Sequence, residues 1–156
     1  MSTPTPIPDV WAVGDAYERY VGRWSRLAAV EFIAWLALPA GARWLDIGCG
    51  TGALSHTILA HHQPGGVTGV DPSAGFIAKA RQQVDDARVE FCEGDAQALP
   101  FPDGAFDAAV SGLVLNFIPD PQRAVAEMRR VLRQGGTAAV YVWDYCLLYT
   151  SDAADE

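Results

Sequence analysis

Basic side chains are scarce in this chain: 11 Lys and Arg stand against 19 Asp and Glu, a formal charge of -8. A nucleic-acid surface must cluster Lys and Arg to displace the counterions condensed on phosphates, so nucleic acid is not an expected partner. Cysteine is scarce too. Cys49, Cys92 and Cys146 are widely spaced with no CxxC pair, which indicates neither a disulfide framework nor a zinc site; no metal is expected, and a reducing compartment fits. Long apolar runs are missing. The longest, residues 27–40, contains Glu31 and falls short of the roughly 20 residues that cross a bilayer. The opening STPTPIPDV lacks the basic segment and apolar run of a secretory signal. A soluble cytoplasmic protein without integral membrane association is therefore expected. With 156 residues, half of them apolar, the chain suits one domain with a real core and is too short for two. Oligomeric state is not legible.

Apolar residues recur at Leu27, Val30, Ala34 and Ala37, with Ile33 and Leu36 widening the stripe, which predicts a leading helix ended by Pro39 and Gly41. A short apolar run at 44–47 is broken by GCGTG, after which Leu54, Ile58 and Leu59 mark a helix. The unit repeats, with a strand at 67–70, Ser73 as N-cap, and Ile77, Ala80 and Val84 on one helical face. Residues 88–92 read as a third strand. The run 106–115 reads as a fourth, nearly continuous in apolar residues as a strand covered on both faces should be. Asp120 and Pro121 supply an N-cap and first-turn proline for a helix with Val125, Met128 and Leu132 inward, ending at Gly135 and Gly136. Arg129, Arg130 and Arg133 near its end read as a solvated face favoured by the helix dipole. A fifth strand follows at 137–143. Such alternation implies an α/β fold: a Rossmann-like parallel sheet with helices on both faces, its ligand site at the carboxyl ends of the strands.

The segment WLDIGCGTGALS places glycines at 48, 50 and 52 between a strand and a helix N-terminus, where backbone can approach a ligand closely. Gly48, Gly50 and Ala53 also satisfy the dinucleotide pattern GxGxxG/A, so a nicotinamide enzyme is a competing reading. Asp46 separates the two. Two residues before the first glycine, a carboxylate would repel a pyrophosphate and attract an ammonium; a charge-assisted bond of that kind contributes roughly 1.5 to 3 kcal/mol net. S-adenosylmethionine carries an ammonium and a sulfonium but no phosphate. Asp71, in GVDPS with Pro72, can accept both hydroxyl protons of a ribose, though NAD enzymes use the same device. Asp95, in EGDAQALPF, can accept from the exocyclic amine of adenine with the Ala96 backbone nearby.

WLDIGCGTG, GVDPS, EGDAQALPFPDGAFD and PDPQRAVAEMRRVLRQGGTAAVYVW together resemble the successive motifs of the class I methyltransferases. More narrowly, they resemble the branch that includes the ubiquinone/menaquinone C-methyltransferases and many bacterial small-molecule methyltransferases. The resemblance runs over about residues 15–145 and implies S-adenosyl-L-methionine as cofactor and a small-molecule or lipid-like acceptor. In that family the loop Gly48, Cys49 and Gly50 wraps the methionine part, Asp71 holds the ribose, and Asp95 the adenine amine. AYERYVGRWSR, residues 16–26, is similar to the helix that closes over the cofactor, making Tyr20, Arg23 and Trp24 candidates for a lid, with simple helix packing the alternative. Ser111 and Leu113 match positions bordering the transferred methyl, and Asn116 one that faces substrate. No residue is assigned as catalytic. Methyl transfer from a sulfonium is a displacement in which approach and alignment supply much of the acceleration.

The remaining conspicuous side chains have plainer readings. His56, His61 and His62 fall on the first crossover helix and read as surface residues. Cys49, between loop glycines, reads as packing, and Trp11, Trp35 and Trp44 as core or interface. Residues 1–14 are expected to form a flexible segment and 15–145 the methyltransferase domain. The last eleven residues, CLLYTSDAADE, look like translated sequencing adapter. Residues 146–156 are therefore expected to be an artefactual tail, and the domain to be truncated after its fifth strand, leaving an open edge, poor expression and little activity.

Overall fold

The computed structural model describes residues 14–143, with side chains from residue 25 onward. The expectations for Trp11, for Cys146 and for the 146–156 tail lie outside the described residues. A long helix, α1 (Gly14–Leu36), leads into β1 (Arg43–Ile47), α2 (Ala53–His61), β2 (Gly66–Asp71), α3 (Ala74–Gln83), β3 (Val89–Glu93) and β4 (Phe106–Gly112). A 3-10 turn, Leu115–Phe117, then precedes α4 (Pro121–Val131) and β5 (Leu132–Tyr141). The strands pair in the order β3-β2-β1-β4-β5, and every pairing is parallel. The expected Rossmann-like α/β fold is the fold observed.

Period-two alternation sorts the central strands between two apolar layers. Trp44, Val67, Ala108 and Val110 face α1, α2 and α3, meeting Phe32, Ile33, Leu54, Ile58, Ile77 and Ala80. Leu45, Ile47, Val70 and Ala109 face the other way, onto Met128 and Val131 of α4. Because β1 is covered on both faces, Trp44 and Leu45 are each 0% exposed; each such side chain contributes about 1.5–3 kcal/mol by leaving water. Local signals set the helix starts. Ser73 Oγ accepts from Phe76 N at 3.3 Å, and Asp120 Oδ1 accepts from Arg123 N at 3.0 Å, each satisfying a first-turn N–H that no helical carbonyl can reach.

Several expectations require correction. The buried stripe of α1 is Ala29, Phe32 and Ile33, while Leu27 is exposed, because the helix turns a different face to the sheet than the 27/30/34/37 reading supposed. In α4 the core residues are Ala124, Met128 and Val131, and Val125 is exposed. That helix stops at Val131, not at Gly135, since Leu132 already pairs with Phe106 of β4. Pairing then resumes at Ala108 with Thr137, so the segment around Gly135 (φ +76°) bulges from the strand. Of the tryptophans expected in core or interface, Trp44 lies in the core and Trp35 is 75% exposed on α1.

Arg130 is not simply a solvated charge. Its guanidinium donates to Glu127 Oε1 and Oε2 at 2.7 Å each, to Asp103 Oδ1 and the Phe101 carbonyl at 2.8 Å, and to the Leu99 carbonyl at 3.0 Å. It thereby ties α4 to the β3–β4 connection. Arg133 pairs with Asp107. His56 and His61 are exposed as expected, whereas His62 is half-buried with its ring edge-on to Trp44 at 5.3 Å.

Candidate functional site

The sequence runs outward from β1 through β2 to β3, then crosses back to β4 on the other side of β1. That reversal opens a crevice above the carboxyl ends of β1 and β4, where open parallel sheets bind ligands. The turn leaving β1 there is the glycine loop, with Gly48, Gly50 and Gly52 at φ +71°, +54° and +88°. The three glycines differ in what lies beside them. A Cβ on Gly48 would fall 2.5 Å from Val114 Cγ1, and one on Gly52 would fall 3.0 Å from Val84 Cγ2 and 3.1 Å from Phe91 Cζ. Those two make room for the protein itself. A Cβ on Gly50 would meet nothing within 4 Å, so bare backbone faces open space at that one position.

Neighbouring strand ends pin the loop. Gly48 N and Cys49 N donate to the Val70 carbonyl at 2.8 and 3.1 Å, and Gly50 N donates to Asp71 Oδ2 at 3.0 Å. The other oxygen of Asp71 accepts from Ser73 N at 2.9 Å. Both bonds favour the carboxylate, yet burial outweighs them and pushes the Asp71 acid up from its ordinary value. Each oxygen keeps a lone pair for a further donor. Pro72 follows on the exposed surface.

Asp46 lies beneath the loop rather than on its lip, 1% exposed. Its Oδ2 accepts from Ser55 Oγ at 2.7 Å, and the Ser55 N–H donates to it as well. Burial pushes this acid up to about 6, the Ser55 bonds pull it down, and the Asp71 charge adds to the rise. Cys49 is buried, and burial with the Asp46 and Asp71 charges pushes its thiol far up; a neutral packing role follows. Asp95 is different. It stands exposed past β3, accepting from Gln97 N at 2.8 Å and Gln97 Nε2 at 3.1 Å, bonds that hold it below the usual carboxylate range. Ala96 beside it is half-buried. The Gly94 N–H, bonded to the Asp71 carbonyl at 3.1 Å, links the two strand ends.

The structure thus brings Asp46, Cys49, Gly50 and Asp71 together and sets Asp95 at the rim. Ser111 is buried in β4, its hydroxyl donating to the Ile47 carbonyl at 2.8 Å and locking the tops of β1 and β4. Leu113 takes φ +63° and donates its N–H to the Tyr141 carbonyl at 2.8 Å; Asn116 is exposed. Tyr20, Arg23 and Trp24 fall on α1, but their side chains lie outside the described residues. Ser55 and Tyr141 are site residues the sequence reading missed. The Tyr141 ring packs on Phe32 at 4.7 Å. Its hydroxyl lies 2.6 Å from where a Gly112 Cβ would be; burial pushes the phenol up, and the Asp46 charge adds to the rise. Ser55 has a local signal, the first turn of the helix behind the loop. Tyr141 has none without the β4–β5 register.

Among the described residues no group of three or more His, Cys, Asp or Glu is placed to hold a metal, and no helix is long and apolar enough to cross a membrane. The family of the methyltransferase domain matches residues 45–140. The chain is 39% identical over 120 residues to a 2-phytyl-1,4-naphtoquinone methyltransferase of Thermosynechococcus vestitus, covering 75% of this chain and 51% of that protein. An S-adenosylmethionine dependent methyltransferase from Mesorhizobium loti superposes with a TM-score of 0.61 at 29% identity, over 72% of this chain and 50% of the other. The 4+2 cyclase SpnF superposes with a TM-score of 0.66 at 36% identity, over 74% and 43%. The chain spans about half the length of the quinone methyltransferase it matches. Glycine loop, strand-end acids and family match agree: this chain belongs to the methyltransferase-domain family, of the class I, S-adenosylmethionine-dependent kind.

Proposed function

We propose that the protein binds S-adenosyl-L-methionine in the crevice above β1 and that the parent protein transfers its methyl group to a small or lipid-like acceptor. The single observation that carries this is the open side of Gly50, held in place by the buried Asp71 carboxylate. A cradle that a Cβ would fill, next to an acid with acceptor capacity left, suits a ribose-bearing ligand. In this reading Gly48, Cys49 and Gly50 lie along the methionine part, Asp71 takes the ribose hydroxyls, and Asp95 with the Ala96 backbone takes the adenine edge. Asp46 supplies negative charge for the ammonium. Tyr20 and Arg23 close over the cofactor from α1, and Ser111 borders the methyl.

The cofactor, when bound, supplies a methyl carbon made electrophilic by its sulfonium. What the chain contributes is alignment and exclusion of water; no general base is assigned. The phytyl-bearing quinone named for the T. vestitus relative favours an apolar acceptor. A likeness to a protein titled a 4+2 cyclase shows that this fold is not tied to one reaction, so a second reading stands beside the first, in which the domain binds the cofactor without transferring its methyl. A nicotinamide enzyme is disfavoured because a pyrophosphate over Gly50 would lie above two carboxylates, Asp46 and Asp71. The reading includes a cytoplasmic location, where free thiols such as Cys49 and Cys92 stay reduced.

Calorimetry with S-adenosylmethionine, S-adenosylhomocysteine and NADH tests it. Binding of the first two without the third is the expected result, and NADH binding alone would overturn the assignment. Methyl transfer by the parent to a prenylated quinone or a phospholipid separates the two cofactor-bound readings.

A further inference from the structure

Ser55 and Asp46 are both buried, at 0% and 1% exposure, and face each other behind the glycine loop. Ser55 gives Asp46 two donors, its hydroxyl at 2.7 Å and its backbone N–H. Nine residues separate the pair in sequence, so the bond closes the whole β1–loop–α2 turn at its base. A carboxylate in such a place would shed its charge by taking up a proton unless donors held it ionised. The titratable groups that act on it, among the described residues, are Asp71 from the end of β2, Cys49 from the loop and Tyr141 from β5. None of them brings positive charge. Among the described helix side chains buried in that layer, Phe32, Ile33, Leu54 and Ile77 are apolar, and the buried Thr57 hydroxyl donates to the Ala53 carbonyl at 2.9 Å instead. Among the described residues, Ser55 is seen donating to the acid.

We infer that Ser55 is a positioning residue of the cofactor site: its hydroxyl keeps Asp46 ionised and fixed in place, and so sets the negative charge that a ligand ammonium meets. The inference rests on the cofactor reading above. It assigns Ser55 no contact with ligand. It predicts instead that the affinity of ammonium-bearing ligands depends on pH through Asp46, being lost as pH falls through about 6, and that Ser55 decides where that loss occurs.

The test measures dissociation constants between pH 5 and 8 for S-adenosylhomocysteine and for 5′-methylthioadenosine, which lacks the amino-acid ammonium. Removing a donor to the carboxylate in Ser55→Ala should move the midpoint for S-adenosylhomocysteine upward by about one pH unit, a loss of about threefold in affinity at pH 6.5. Binding of 5′-methylthioadenosine should be unchanged. Ser55→Cys, similar in size and a weaker donor, should give a smaller shift in the same direction and serves if the alanine variant does not fold. An equal loss for both ligands would make Ser55 a loop-packing residue and overturn the inference, as would an unmoved midpoint. Should the unsubstituted chain bind neither ligand at any pH, the cofactor reading itself falls and takes this inference with it; binding without any pH dependence removes the inference alone.

Discussion

Asp71 reaches across from the end of β2 to hold Gly50, its Oδ2 accepting the Gly50 N–H at 3.0 Å. The residue expected to bind a ribose therefore also shapes the loop beside it. Loop and ligand share one carboxylate, which gives substitutions at the two glycines 50 and 52 different signatures.

Gly50→Ala should cost about 1–2 kcal/mol of stability, the strain of an alanine at φ +54°, and reduce cofactor affinity at least about tenfold by filling the open side. Gly52→Ala should cost stability chiefly, because its Cβ would crowd Val84 and Phe91. Urea denaturation and calorimetry on the two variants check the contrast. Equal affinity losses at the two positions would count against Gly50 as the ligand-facing glycine.

Asp46→Asn separates stability from binding. An acid raised to about 6 in the folded state holds its proton more tightly there than in the unfolded chain. Stability is therefore lost as pH rises from about 4 to 6, and the full cost is present above that window. The asparagine variant should be more stable than the parent at pH 7.5, by about 1–3 kcal/mol, and level with it near pH 4. Its affinity for S-adenosylmethionine should nonetheless fall. Thermal melts across pH read the first effect and calorimetry the second; a variant less stable at pH 7.5 contradicts the buried-charge account.

The turn signals were legible because they are local. Ser73 and Asp120 cap helices three residues ahead, and a strand–glycine–helix succession needs no knowledge of distant pairing. What was not legible depends on contacts far along the chain. The Leu132 pairing with Phe106 ends α4 before its glycines, and no helical period in 120–136 reports that. Val125 and Ala124 differ by one position, about 100° around the helix, and only the docked sheet decides which is covered. At the site, the spacing of Asp46, Gly48, Gly50 and Asp71 announced a ligand turn. That spacing did not report that Asp46 lies under the loop, bonded to Ser55 of α2.

Arg130→Ala should loosen the β3–β4 connection. Five hydrogen bonds, two of them to the carbonyls of Leu99 and Phe101, depend on one guanidinium. The expected outcome is a lower urea midpoint, with faster proteolysis within residues 99–104. Unchanged cleavage there would show that the connection is held by its apolar contacts instead.

Along its outer side β5 pairs with no strand among the described residues, and Val140 and Val142 are exposed. Charge on such an edge discourages pairing between copies. Val140→Lys with Val142→Lys should raise the soluble fraction on expression and lower light scattering on storage. No gain in either measurement would place the aggregation-prone surface elsewhere.

Asp107 sits at the amino end of β4, where one oxygen takes the Arg43 N–H of β1 at 2.7 Å and the other pairs with Arg133 of β5. Three strands are stapled together there, at the end of the sheet remote from the glycine loop. Like the rivet of a folding fan, that staple confines splaying to the opposite rim, where the Ser111 bond to the Ile47 carbonyl opposes it. Amide hydrogen exchange should accordingly be slower at Arg43 than at Gly112, and Asp107→Asn should narrow the difference.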